Sequence, residues 1–216
     1  MTAASRPGKE RLSEAATLRL ALLLRSLARL QADGTGTVSS QALAQRFGMN
    51  AAQIRKDLAH LGEFGVRGVG YRVADLRTRL ASILGLDRTR VVVVVGAGHL
   101  GQALADSGSF NGASFRVAAL FDVDERKVGG RSRSGVPILP SDALARSVPA
   151  LRAEIGVVAV PADAAPGVAA DLATAGVKGI LNFARAPVGP FPTATVKNVD
   201  LTLFLESLAI QRPAAG

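Results

Sequence analysis

Cysteine is absent from the 216-residue sequence. The chain can therefore form neither a disulfide nor a thiolate-bound metal or iron–sulfur centre, and a thiol cannot serve as its redox sensor. Any sensitivity to redox state must come from a bound ligand. We also expect no metal partner.

Long hydrophobic runs are missing as well. No stretch reaches the length of a membrane span, and residues 1–12 lack the apolar core of a signal peptide. We therefore expect a cytoplasmic protein with no membrane partner. Apolar residues still make up 48% of the chain, which is enough for one ample core or two modest domains.

Positive charge is abundant and unevenly distributed. The net charge is +9, of which +7 falls within residues 1–80 and +2 within residues 81–216. This asymmetry is typical of a nucleic-acid-binding module joined to a near-neutral ligand-binding one, although a basic surface without a partner has the same composition.

The basic first third has the pattern of a winged helix-turn-helix. Leucines at helical spacing run from Ser13 to a stop at Asp33-Gly34, a second helix follows through Phe47, and Asn50 caps a third with Gln53 at the capping-box position. Two helices joined by a short glycine-containing turn are typical of DNA-reading proteins, and a helical hairpin with a solvated charged face is the alternative.

The third predicted helix buries Ile54, Leu58 and Leu61, so its other positions are available to DNA. These positions are Gln53, Arg55, Lys56 and His60. Arg55 and Lys56 are suited to guanine edges or phosphates.

A β-wing is predicted after the third helix, where residues 63–73 alternate strand-like residues with glycines. At its tip Arg67, followed by Gly68, is suited to a narrow minor groove over A·T-rich DNA. Tyr71 is expected to pack or to touch a phosphate.

A nucleotide-binding βαβ unit is predicted from residue 90 onward. Five valines lead into a Gly-x-Gly-x-x-Gly turn, in which Gly96 makes the tight turn, Gly98 lets the backbone approach a pyrophosphate and Gly101 packs the helix on the strand. The whole turn is the expected phosphate site: Gly96, Ala97, Gly98, His99, Leu100 and Gly101. The next strand ends at Asp122, which is placed to accept the ribose hydroxyls and to repel a 2′-phosphate, so NAD(H) is favoured over NADP(H).

Strands alternating with helices over the remaining chain predict a doubly wound parallel sheet. Its carboxyl edge is the expected ligand side and has four further candidates: Val160, Pro161, Asn182 and Phe183. Phe183 suits the core equally well. The final helix, residues 201–211, is apolar almost all round and is capped by Asp200, so an exchange of this helix between subunits is expected, with docking on its own sheet as the alternative.

Seven segments carry motifs that occur together in one known family: Ile54-Arg-Lys-Asp-Leu58, Phe64-Gly65, Arg67-Gly-Val-Gly-Tyr71, Gly96-Ala-Gly-His-Leu-Gly101, Phe121-Asp-Val-Asp124, Gly179-Ile-Leu-Asn-Phe-Ala184 and Asn198-Val-Asp200. From about Leu18 to Leu208 the chain resembles the Rex family of redox-sensing transcriptional repressors.

The resemblance implies a winged-helix DNA-binding domain over residues 1–81, a Rossmann NAD(H)-binding domain over 82–200, and a C-terminal dimerisation helix and tail over 201–216. It implies a homodimeric repressor rather than an enzyme, which binds an inverted-repeat operator and leaves it when NADH replaces NAD⁺. Arg25 and Asp200 match the family's pair between the DNA-binding domain and the partner subunit in the NAD⁺ form.

Several positions depart from the family pattern. Ser107 stands where a tyrosine is common, Leu23 replaces an aromatic residue, and Arg185 replaces a proline. The Ser107 difference is expected to weaken the coupling between redox state and DNA release.

Two other functions stay open at this point. A nicotinamide-dependent dehydrogenase would need a proton donor near the ring, and neither histidine is well placed, since His60 lies in the predicted recognition helix and His99 in the phosphate turn. A coenzyme A-binding regulator is the other, and Asp122 disfavours the 3′-phosphate of that ligand.

Overall fold

The computed structural model describes residues 12–62, 64–66 and 68–210. The chain divides into two compact units, and the boundary lies between Asp87 and Arg88. This junction lies a few residues beyond the boundary that we expect after residue 81, because a helix not foreseen in the sequence, Val73–Leu84, belongs to the first unit.

The first unit contains four described helices and a two-stranded antiparallel sheet. The helices are α1 (Glu14–Ala32), α2 (Ser40–Phe47), α3 (Ala51–Leu61) and α4 (Val73–Leu84), and strand β1 (Thr37–Val38) pairs with β2 (Tyr71–Arg72). The three predicted helices are confirmed, whereas the prediction that residues up to Val73 are strand-like is wrong at Val73, where α4 begins.

Local side-chain caps explain where the first three helices begin. Ser13, Ser39 and Asn50 each accept a hydrogen bond from the backbone N–H three residues on, at 3.2, 3.0 and 3.0 Å. Only half of the predicted capping box forms, because the Gln53 side chain turns to Asp57 instead of returning to the Asn50 backbone.

Leucines from α1 form the centre of the first core. Leu20, Leu23, Leu27 and Leu30 are buried against Ile54 and Leu58 of α3 and against α4. Burial of each leucine stabilises the unit by about 1.5–3 kcal/mol. Helix α3 is therefore supported along its buried face by α1.

The second unit is built on a six-stranded parallel sheet with the order β5-β4-β3-β6-β7-β8. The strands are β3 (Arg90–Val95), β4 (Phe115–Asp122), β5 (Ile138–Pro140), β6 (Ile155–Val158), β7 (Gly179–Asn182) and β8 (Thr195–Asn198). The helices are α5 (His99–Asp106), α6 (Leu144–Ala150), α7 (Ala165–Thr174) and α8 (Leu201–Ile210).

The run of valines in β3 follows from burial of the sheet on both faces. Val93 and Val95 pack in one core cluster, and Val92 and Val94 pack in another on the opposite face. The strand order reverses direction at β3 and β6, which opens a crevice at their carboxyl ends. The predicted doubly wound fold is thereby confirmed.

Helix α8 differs from the other helices in that none of its described residues is buried. Its first turn is capped by Asp200, which accepts the Thr202 N–H at 2.9 Å. Six large apolar side chains are 61–84% exposed: Leu201, Leu203, Phe204, Leu205, Leu208 and Ile210. The predicted last residue of this helix, Gln211, lies outside the described residues. Among the described helices, none combines the length and the hydropathy that crossing a membrane requires.

Candidate cofactor and DNA-binding sites

The crevice of the second unit is bounded by the ends of three neighbouring strands. The Gly96 N–H donates to the Phe121 carbonyl at 2.7 Å, and the Ala159 N–H donates to the Val95 carbonyl at 2.8 Å. These bonds extend the parallel ladder beyond the strands. They hold the glycine turn between the end of β4, which carries Asp122, and the loop that follows β6.

Two of the three turn glycines have no space for a side chain. A Cβ atom at Gly96, whose φ is +103°, would lie 2.3 Å from the Ala159 carbonyl oxygen. A Cβ atom at Gly101 would lie 1.8 Å from the Gly96 carbonyl oxygen. These glycines therefore bring the turn, α5 and the β6 loop into backbone contact, as the sequence pattern predicts for a dinucleotide fold.

Gly98 is different, because the space around its Cβ position is open. It is the N-cap residue of α5, and no side chain caps the helix there. His99 and Leu100, in the first turn, are exposed. The first turn of α5 thus begins beside open space without a side-chain cap, at the positive end of the helix dipole, an arrangement suited to a pyrophosphate.

Asp122 lies at the carboxyl end of β4 with its side chain largely buried. One carboxylate oxygen accepts the Ala97 N–H at 2.7 Å and the Lys127 ammonium at 3.1 Å, and the other accepts the Asp124 N–H at 2.9 Å. Burial raises its pKa, but these hydrogen bonds more than compensate and hold the pKa below its usual range. The carboxylate is therefore ionised and fixed beside the glycine turn.

A second acid at this edge, Asp124, is paired with a cation. Arg126 donates two hydrogen bonds of 2.9 Å to Asp124 and, as the largest influence, lowers the pKa of that carboxyl to about 2. Next to Asp122 a groove of about 310 Å³ extends towards Pro140 and Ser141. It is bordered by Val123, an apolar side chain that is 85% exposed, and it is suited to a flat aromatic ring.

The two candidates after β6 are placed at the crevice, since Val160 packs partly buried beside Gly96 and Pro161 is exposed. Phe183, after β7, is half-buried against the sheet core. Asn182 has a different environment. Its amide donates to the Ala186 carbonyl at 2.8 Å and to the Asn198 side chain at 2.8 Å, and it is fully buried. Asn182 therefore ties residues 183–188 to β8.

The residues of the expected redox switch lie in separate parts of the chain. Arg25 is exposed on α1, Ser107 ends α5 with its hydroxyl accepting the Ser109 N–H, and Asp200 precedes α8. The Thr202 hydroxyl and N–H, followed by the charge of Arg185, lower the pKa of Asp200. Arg185, which replaces the family's usual proline, thus acts electrostatically on this acid.

Basic and imidazole side chains lie on the exposed face of α3. Arg55, Lys56 and His60 are exposed, and Arg55 donates to the Ser40 hydroxyl of α2 at 3.0 Å. A groove of about 440 Å³ separates Arg55 from the segment after α3. Gln53, the remaining predicted contact on this helix, is only partly exposed.

The segment after α3 contains the predicted wing. Val66 and Gly70 form an antiparallel bridge around Gly68, which has a φ of +82° and open space at its Cβ position. Arg67, the predicted minor-groove residue, lies outside the described residues. Tyr71 in β2 is half-buried, and this burial raises the pKa of its phenol; packing, one of the two roles considered for it, is thus present.

Asp57 is the polar residue of α3 that the sequence analysis missed. It accepts two hydrogen bonds from Arg19 of α1, at 2.8 and 2.9 Å, and one from Gln53 at 2.7 Å. The i,i+4 spacing of Gln53 and Asp57 is a sequence signal for their contact, whereas nothing in the sequence relates Asp57 to an arginine 38 positions away.

Within residues 12–62, 64–66 and 68–210, no three histidine or acidic side chains are grouped closely enough to hold a metal ion. The two sites are thus a dinucleotide-like crevice in one unit and a cationic helix with a hairpin in the other.

Comparison with known proteins agrees with this division. The model of the putative DNA-binding protein N-terminus matches residues 11–59, and that of the CoA binding domain matches residues 87–186. The redox-sensing transcriptional repressor Rex of Syntrophobacter fumaroxidans is 43% identical over 195 residues, which cover 90% of this chain and 93% of the relative. The chain belongs to the Rex family. The resemblance carried by the seven sequence segments is thereby confirmed.

Solved structures of RSP, a Rex-family repressor, share the fold over 94% of this chain. RSP itself has a TM-score of 0.83 and 32% identity, with 94% of its chain covered. Its complex with β-NAD⁺ and operator DNA has a TM-score of 0.87, 33% identity and 93% coverage. Its complex with β-NADH has a TM-score of 0.82, 32% identity and 95% coverage.

Proposed function

We propose that this Rex-family chain is a transcriptional repressor that binds operator DNA and is released from it when NADH binds. The observation that carries the proposal is the open N-terminus of α5 at Gly98, beside the ionised Asp122, in a chain that also has a winged helix-turn-helix. The RSP complexes with NAD⁺ plus operator DNA and with NADH support the same two ligands.

The second unit has the groups that a dinucleotide requires. Backbone N–H groups from Gly98 to Gly101 would bind the pyrophosphate, Asp122 would accept a ribose hydroxyl, and Val123 would border the adenine ring. Asp122, ionised and fixed beside the glycine turn, would repel a 2′-phosphate, so the expected ligand is NAD(H) rather than NADP(H).

Discrimination between the two redox states follows from charge. The oxidised nicotinamide ring is positive and the reduced ring is neutral, so an apolar pocket favours NADH. We infer that Phe183, with Leu201 of the partner subunit, forms this pocket, because Phe183 is half-buried at the sheet edge and Leu201 is exposed. A coupling of about 1–3 kcal/mol between cofactor and DNA binding is typical of such a switch.

The first unit would bind DNA with α3 in the major groove. Arg55 and Lys56 would contact base edges and phosphates, and His60 and Gln53 would lie beside them. The hairpin around Gly68 would approach the minor groove, for which Arg67 is the residue that the sequence predicts. An A·T-rich inverted repeat is the expected operator, because a symmetric dimer binds two equivalent half-sites.

A homodimer explains the exposed apolar surface of α8. A helix with six exposed large apolar side chains needs a protein surface to cover it, and exchange with a second copy covers two such helices at once. The same dimer would place Asp200 of one subunit near Arg25 of the other, the pair that the family resemblance implies for the NAD⁺ form.

Coenzyme A is the second candidate ligand, because the CoA binding domain model matches residues 87–186. The ionised Asp122 argues against it, since it would repel the ribose phosphate of coenzyme A. Catalysis is less well supported: His99 is exposed in the phosphate turn and His60 lies on α3, so neither is placed for proton transfer at a nicotinamide.

The proposed function is tested by fluorescence anisotropy at fixed salt, with a labelled A·T-rich inverted-repeat duplex that the protein has selected from random DNA. NADH is expected to release the duplex at concentrations at which NAD⁺ leaves the complex intact. Release by coenzyme A and not by NADH would favour the second candidate. The absence of any sequence preference would overturn the repressor assignment.

The contribution of Asp200 to the switch gives a separate prediction. Asp200→Asn keeps an oxygen that accepts the Thr202 N–H and so preserves the α8 cap, but it removes the charge. The ratio of operator affinities with NAD⁺ and with NADH is expected to fall about tenfold, which is the usual size of such a coupling. Both affinities are measured by the same anisotropy titration.

Asp163→Asn is the matched control, because Asp163 is an exposed acid in the same unit, ahead of α7. The control is expected to keep the wild-type ratio. If Asp200→Asn also keeps that ratio, Asp200 is only a helix cap and the switch lies elsewhere.

A further inference from the structure

Asp57 occupies an unexpected place for an acid. It lies on α3, next to Lys56 and among the residues proposed to face DNA, yet only 9% of its side chain is exposed. Arg19 of α1 holds both of its oxygens, through Nε at 2.8 Å and Nη2 at 2.9 Å. Such a two-pronged pair fixes the planes of both groups.

The third hydrogen bond to this carboxylate comes from Gln53, a predicted DNA contact. The Gln53 amide nitrogen donates to Oδ1 of Asp57 at 2.7 Å. One N–H of the amide is thus satisfied within the protein, and the orientation of the amide is set by an acceptor that cannot donate. Gln53 therefore does not rotate freely before it meets DNA.

The charge state of Asp57 is equally constrained. The Arg19 hydrogen bonds are the largest influence and, with Gln53 and the charge of Lys56, outweigh burial and lower the pKa of the Asp57 carboxyl. Asp57 stays ionised near neutral pH. An unpaired negative charge on a helix proposed to face phosphates would weaken DNA binding, and here the Arg19 guanidinium pairs that charge.

We propose that Asp57 is a positioning residue for sequence-specific DNA binding, acting through Gln53 and Arg19. Arg19 anchors α3 on α1 through the carboxylate, and the same carboxylate presents the Gln53 amide to a base edge in one orientation. A fixed amide loses less conformational freedom on binding, and it favours the matching base over the others. This inference rests on the proposed DNA-binding function.

The test compares Asp57→Asn with Asp75→Asn. Both variants lose one negative charge in the first unit, and Asp75 is an exposed acid on α4 paired with Arg72 at 3.3 Å. Affinities are measured for the duplex selected by the wild-type protein and for a scrambled duplex of the same composition, at one salt concentration.

A positioning role and a purely electrostatic role of Asp57 predict changes of opposite sign in the affinity for the selected duplex. Asp57→Asn is expected to bind the selected duplex about tenfold more weakly, the usual effect of losing one good base contact, while its affinity for the scrambled duplex is unchanged or higher. Asp75→Asn is expected to bind both duplexes at least as tightly as wild type. Tighter or equal binding of the selected duplex by Asp57→Asn would overturn the inference.

A double-mutant cycle with Gln53→Ala tests whether Asp57 acts through Gln53. If Asp57 acts through Gln53, Asp57→Asn is expected to change the affinity for the selected duplex less than threefold when Gln53 is already absent. Full additivity would overturn the Gln53 route. Arg19→Lys, which keeps the charge but loses the two-pronged geometry, serves as a second variant and is expected to weaken the same binding.

Proper folding of each variant is monitored through NADH binding by the second unit and through the thermal midpoint. Wild-type protein without preference for any selected duplex would reject the proposed function and this inference together. A wild-type preference that Asp57→Asn retains in full would reject only the inference.

Discussion

Gly98→Val is expected to give a protein that folds and binds operator DNA but no longer responds to NADH. The φ of Gly98 is −76°, which any residue adopts, and the space at its Cβ position is open. The free energy of unfolding should therefore stay within about 1 kcal/mol of wild type. The valine side chain would, however, fill the place that we assign to the pyrophosphate, and NADH affinity should fall at least about a hundredfold.

NADH binding to this variant is measured by nicotinamide fluorescence and operator binding by anisotropy with and without NADH. Gly101→Val is the informative comparison, since its Cβ atom would lie 1.8 Å from the Gly96 carbonyl oxygen. That variant is expected to lose stability as well as cofactor binding. Normal NADH affinity in Gly98→Val would place the phosphate site elsewhere.

Introducing two acids on α8 is expected to separate the proposed dimer into monomers. Leu205 and Leu208 are 65% and 68% exposed and lie one turn apart on the helix. Leu205→Glu combined with Leu208→Glu would place two charges in the surface that we assign to the partner subunit, where unpaired charges are strongly unfavourable. A monomer binds only one half-site at a time, so operator affinity should fall by about 10²-fold or more.

Sedimentation measures the mass of the variant, and anisotropy with full and half operators measures the affinity. The control adds two acids to an exposed face of α7, as Ala170→Glu with Thr174→Glu, for the same change in charge. The control should keep both the wild-type mass and the preference for the full operator. A dimeric α8 variant would mean that α8 covers another surface.

The sequence predicts best the elements whose signals are local. Ser13, Ser39 and Asn50 mark the starts of three helices, because a cap and the N–H that it satisfies lie three residues apart. The glycine turn is also a local sequence motif, in which Gly101 is required by its contact with Gly96 and Gly98 is left open for a ligand, although the contact of Gly96 is with the distant Ala159. Both features could therefore be predicted from the sequence alone.

Predictions were weaker where distant residues decide the structure. Helix α4 was missed because Val73 continues a strand-like pattern, and its burial against α1 becomes apparent only in three dimensions. Asp57 was missed because its main partner is 38 residues away. Asn182 lies at the carboxyl end of β7, as predicted, but the direction of its amide depends on Asn198, which is the last residue of β8.

The hydrogen bond between Asn182 and Asn198 joins the ends of β7 and β8 within one subunit. Asn182 holds the segment after β7, which begins with Phe183, while its backbone carbonyl accepts the Val199 N–H at 2.8 Å, directly before Asp200. Asn182 thus connects two segments: Phe183, which is proposed to meet the nicotinamide, and Val199, which directly precedes the α8 cap residue Asp200. We therefore expect a displacement of Phe183 to reach the start of α8 through the hydrogen bonds of a single residue, Asn182.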